Sequence, residues 1–149
     1  MILKQKPRRG ASLVEGAFVF PVLVFFILAL VVGAMGIFRY QEVNYAAHEG
    51  ARYASVHGTD YAADLNTTAA TATDVYNNAI LPRFMTIDPS QVTYSVTWDR
   101  SNYPSTVVGS YEKPVSNVVT VTVTYNWFPE MYLVGPITLT GKSSMPMTY

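Results

Sequence analysis

The chain has 149 residues, ten of them basic and ten acidic; half are apolar and none is cysteine. Four of the bases (Lys4, Lys6, Arg8 and Arg9) lie ahead of Ala11, so six bases face ten acids from there on. That balance leaves no footprint for nucleic acid. Without cysteine there are no disulfides, thiolate metal sites or cysteine nucleophiles.

Residues Met1 to Gly10 are too short and too polar to build structure and read as a targeting segment. Charge then stops at Arg9, returns once at Glu15, and is absent from Gly16 to Phe38. Those 23 residues would extend about 35 Å as a helix, enough for a hydrocarbon core of roughly 30 Å. Apolar side chains occupy every face, so the run is expected to span a bilayer rather than cover a soluble core. The positive-inside bias places the basic end in the cytoplasm and the 111 residues after Phe38 outside. Pro21 removes one backbone donor and is expected to kink the span.

Glu15 has two readings. It sits at headgroup level and favours the helix start through the macrodipole. Alternatively, a cut after Gly10 would free an α-amine at Ala11, four residues away, and the two would neutralise each other within the membrane. A competing cut is offered by Val32-Gly33-Ala34, which fits ordinary signal peptidase and would release a soluble chain starting at Met35. The apolar run exceeds an ordinary signal core in length, which ranks this second.

The helix is expected to continue beyond Arg39 to about His57. Ala46, Gly50 and Ala54 share one face, and Ala47, Ala51 and Ser55 the next; spacing of four lets backbones approach closely. Such faces pack either on the sheet of the same chain, the favoured reading, or on neighbouring subunits. Glu49 and Arg52 are placed to pair. Gly58 is a plausible stop, with Thr59 or Asp60 capping a second helix through Leu65, Ala69, Ala72, Tyr76 and Ile80 to Pro82. Asn66-Thr67-Thr68 matches a glycosylation acceptor, a pattern common by chance.

From Ser90 the period becomes two. Val92 to Trp98 and Val119 to Trp127 alternate apolar residues with threonine or serine, and a last strand runs from Ile137 to about Met145. A short edge strand is expected at Thr106 to Val108. The connection Phe128 to Pro136 is unusually apolar and needs a cover, most simply the helix of the same domain, with a neighbouring subunit or the outer leaflet as the alternative. The fold class is therefore α+β. A leader covers 1–10, a helix 11–57 crosses the membrane over 16–38, and an extracytoplasmic domain of 58–149 adds a second helix and a small antiparallel sheet.

No chemistry stands out. His48 and His57 are nine residues apart, and neither a phosphate loop nor a nucleophile elbow is present. No enzyme, catalytic residue, metal or cofactor is expected. The aromatic residues read as core and strand faces, with a glycan-binding surface as the alternative.

One family fits. Arg9-Gly10-Ala11-Ser12-Leu13-Val14-Glu15 resembles the class III signal of type IV pilins, and its continuation through Gly16-Ala17-Phe18-Val19-Phe20-Pro21 looks like the start of TadE-like proteins, minor pseudopilins of tight-adherence pilus systems. Tyr45-Ala46-Ala47-His48-Glu49-Gly50-Ala51-Arg52-Tyr53-Ala54 extends the resemblance, with His48 where arginine is usual. Gly16, where short major pilins carry tyrosine, and the length argue against a major subunit. The resemblance implies cleavage after Gly10, with Ala11 and Glu15 serving assembly. Its implied partners are prepilin peptidase, other pilins, an assembly ATPase and platform proteins in the inner membrane, alongside the lipid bilayer. Two alternatives remain: an unprocessed membrane-anchored binding module or adhesin, and the soluble protein cut after Ala34.

Overall fold

The structure, a computed structural model, describes residues 9–109, 113–130 and 135–149. It divides into two compact units, Met1–Met35 and Gly36–Tyr149. One helix, α1 (Arg9–Val56), contributes to both. In the first unit its side chains are apolar on all sides and almost all exposed. None of its most apolar window is buried. Pro21 lies inside the helix, whose assignment continues unbroken on either side of it. The helix ends at Val56, one residue short of the expected His57, and Gly58 follows.

In the second unit α1 lies against a three-stranded antiparallel sheet, β1 (Val92–Trp98), β4 (Val118–Trp127) and β5 (Ile137–Pro146), with β4 in the centre. Two further strands, β2 (Ser105–Thr106) and β3 (Val115–Ser116), form a separate two-residue ladder. Val92 pairs with Tyr125, and Tyr125 in turn with Leu139. Period two then sorts the faces: Val119, Val121, Val123, Tyr125 and Trp127 are buried, while Thr120, Thr122 and Thr124 stand on the opposite face.

Two glycines fix how α1 crosses that buried face. A Cβ on Gly36 would meet the Trp127 ring, and one on Gly50 would meet Val121. Fourteen helical residues rise about 21 Å, and the six strand residues between Trp127 and Val121 about 20 Å. Helix and central strand therefore run side by side in opposite directions. Val43, Ala46, Ala47, Ala51 and Ala54 form the helix side of the core, and Val75, Ala79 and Ile80 close it.

The expected second helix is corrected. It is split into α2 (Thr59–Asp64), α3 (Ala72–Val75), a π-helical turn over Tyr76–Ile80 and a 3-10 turn over Leu81–Arg83. Asn66 adopts a positive φ of 50°, which ends the first piece. Leu65, expected at the start of that helix's apolar spacing, lies just past α2 and is exposed. Gly58 rather than Thr59 or Asp60 occupies the N-cap of α2. The edge strand lies at Ser105–Thr106, and Val107 and Val108 are exposed beside it.

The second piece starts on its own capping box. The Thr71 hydroxyl accepts from the Asp74 amide, and the Asp74 carboxylate accepts from the Thr71 amide. The Thr71 hydroxyl also donates to that carboxylate, and these hydrogen bonds hold the Asp74 carboxyl below its ordinary range. A carboxyl lowered by folding stabilises the fold above about pH 4 and loses that contribution as pH falls through its folded value. Amide exchange at Val75, corrected for the intrinsic rate, should therefore accelerate between pH 5 and pH 3. In Thr71→Ala it should be fast at both pH values.

Candidate functional site

The residues singled out in the sequence fall into two groups. Gly10, Ala11 and Glu15 lie in the first two turns of α1. On a continuous helix, Ala11 and Glu15 are one turn apart on the same face. Of Ala11 only the helical backbone is described. Glu15 is exposed, and among the described residues no cation lies within ion-pair distance of it. A Cβ on Gly10 would meet nothing within 4 Å. Packing among the described residues thus gives no reason for glycine there, although glycine costs a helix about 1 kcal/mol relative to alanine.

The second group, Ala46, Gly50 and Ala54, is buried in the second unit. A Cβ on Gly50 would lie 2.9 Å from Ile80 Cγ1 and 3.2 Å from Val121 Cγ1. The neighbouring Ala47, Ala51 and Ser55 are buried as well. The two groups lie in different units. Gly16 and Gly33, like Gly10, face open space, whereas Gly36, Gly50, Gly58 and Gly141 are each crowded by other parts of the chain.

Polar contacts around α1 include one group that sequence reasoning missed. Glu42 is buried, and its carboxylate accepts from the Met85 amide, the Thr86 amide at 3.0 Å and the Thr86 hydroxyl at 2.7 Å. The available signal was its place one turn before Ala46 on the core face: an acid there needs donors. Arg39 pairs with Glu130 and lies over the Trp127 ring, 5.2 Å from its centroid. Burial raises the Glu130 carboxyl, but its own amide and Arg39 more than offset this and hold it below the usual range. Glu49 pairs with Arg52 as the spacing suggested, at 3.7 Å, and also with Arg83 at 3.1 Å. His57 stacks on Tyr53 with ring centroids 3.9 Å apart, and its Nδ1 lies 2.8 Å from the Tyr53 carbonyl. That is a packing role at the end of α1.

Comparison with known families covers the first group and most of the second. The family model described as TadE-like protein matches residues 10–52. The N-terminal segment is TadE-like. The TadE-like stretch begins at Gly10, contains Ala11, Glu15 and the whole apolar run, and takes in Ala46 and Gly50 while stopping before Ala54. Every strand lies beyond it. Neither the curated proteins nor the solved structures gave a match. The likeness suggests a pilin-like protein associated with the Tad pilus, and α1 is compatible with a single-pass membrane anchor.

Proposed function

We propose that this chain is a minor pilin or pseudopilin used in assembling a tight-adherence pilus, cut after Gly10 by a prepilin peptidase. The observation that carries the reading is the TadE-like match, which starts at the glycine of the cut and runs through the apolar span. The leader stays cytoplasmic and the second unit lies outside the inner membrane. Processing frees the α-amine of Ala11, which Glu15 of the same or a neighbouring copy neutralises in the membrane. The role is structural rather than catalytic, and its partners are other pilins, the platform proteins and the assembly ATPase. That no described residue crowds a Gly10 Cβ supports the reading, because the first turn is then cheap to fray into a peptidase.

The test is N-terminal sequencing of the protein produced with its own peptidase. The native chain should begin at Ala11, and Gly10→Ala should stay ten residues longer. A native chain beginning at Met1 or Met35 would overturn the proposal.

A further inference from the structure

One group of exposed apolar and aromatic residues on the second unit lies near Gly36. Ile37 and Phe38, the last two residues of the uncharged run, and Tyr40 and Tyr45 just beyond it project from α1, and all four are exposed. Trp127, the last residue of β4, packs on Gly36, so the adjoining Phe128 belongs to the same level and is also exposed. Phe128 is therefore not covered by the helix of its own domain, contrary to the expectation for that connection; Met131 to Val134 lie outside the described residues. On another side of the helix, Phe38, Glu42, Tyr45 and Met85 line an apolar groove. Met85 is 86% exposed.

That exposure is held in place. The Glu42 carboxylate binds the amides of both Met85 and Thr86, so a buried charge is used to fasten a loop whose most exposed side chain is a methionine. Two arginines of α1 and its surroundings are paired here. Arg39 is matched by Glu130, and Arg83, matched by Glu49, lies 5.8 Å from the centroid of the Tyr45 ring. Exposed aromatic and apolar side chains, with neighbouring charges neutralised, suit a medium less polar than water.

We propose that Ile37, Phe38, Tyr40, Tyr45, Met85 and Phe128 form a collar that seats the second unit in the headgroup layer of a phospholipid bilayer. Lipid is the occupant because the collar continues the same helix out of the apolar run: a core of roughly 30 Å takes about 20 residues from Gly16, which brings the interface to Gly36 and the residues after it. The proposal rests on the membrane-anchor reading of α1. Its consequence is that the sheet domain is held against the membrane surface rather than swinging on a tether. For the domain to leave the bilayer with α1, this contact must be broken along with that of the span.

The chain has no cysteine, so single labels are unique. Full-length Phe26→Cys, Met85→Cys, Phe128→Cys and Val107→Cys carry a nitroxide in nanodiscs of phosphatidylethanolamine and phosphatidylglycerol. Power saturation then compares access to oxygen and to a water-soluble nickel chelate. Val107 is an apolar, exposed control beside the β2–β3 ladder, at the end of the sheet away from Trp127. Labels at Phe26, Met85 and Phe128 should favour oxygen, most strongly at Phe26, and Val107 should favour the chelate. If Phe26 favours oxygen while Met85 and Phe128 favour the chelate, the collar is wrong and the anchor stands. If Phe26 itself favours the chelate, the anchor falls and the collar with it. Dipolar broadening at Met85 and Phe128 would show a second copy of the chain on the patch and would also overturn the lipid assignment.

Discussion

Gly141→Ala should destabilise the second unit by about 3 kcal/mol, at the upper end of what overpacking costs. Gly141 lies in β5 opposite Val123, on the buried side of that strand. An added Cβ would sit 2.8 Å from Asn44 Cα, 2.8 Å from the Val43 carbonyl oxygen and 2.9 Å from the Asn44 nitrogen. All three are main-chain atoms of α1, and no rotamer change moves them. Relief requires the strand and helix to separate, which would loosen their shared core. Thr140→Ala, one residue away and exposed, should stay within about 0.5 kcal/mol of the parent. Tryptophan fluorescence during thermal unfolding in detergent micelles reads both variants, and the glycine variant should melt at least about 10 °C lower. Equal melting of the two variants would mean that β5 does not pack on the helix backbone as described.

How far such features could be read in the sequence depends on whether they are local. Strand β4 was legible because one buried face imposes period two, and Val119 to Trp127 keep it without a break. The end of α1 was legible from local signals: no proline or strong turn interrupts the pattern between Arg39 and His57, and Gly58 follows. Gly10, Ala11 and Glu15 were readable as a motif because they lie close together in the sequence, at the start of the TadE-like match, and need no fold around them. The second helix failed because apolar residues at helical spacing do not prevent a break. Thr71-Ala72-Thr73-Asp74 already spelled a capping box, which marks a helix start in the middle of the expected one. The two-residue ladder β2–β3 is too short to leave a pattern. The Glu42 cradle and the exposure of Met85 depend on residues more than forty positions apart. Gly141 was readable in part, because a glycine inside a strand often marks the close approach of another backbone. Its partner, Asn44, was not.

The face of Ala46, Gly50 and Ala54 can be assigned to the fold or to the filament by a double-mutant cycle. Ile80 is fully buried, and its Cγ1 and Cδ1 lie 2.9 and 3.2 Å from where a Gly50 Cβ would stand. Ile80→Ala should cost about 2–5 kcal/mol through lost burial and a cavity against the helix. Gly50→Ala gains up to about 1 kcal/mol of helix propensity but adds crowding worth about 1–3 kcal/mol, so it should be mildly destabilising. Combined, the added methyl fills part of the space that Ile80 vacated. The double variant should therefore be more stable than the sum of the two changes by about 1 kcal/mol, whereas independent sites add within about 0.5 kcal/mol. Additivity would remove the fold's claim on the small face and return it to contacts between subunits. Coupling would confine those contacts to other parts of α1, foremost the exposed length ahead of Gly36, where Gly16 and Gly33 have open space around them.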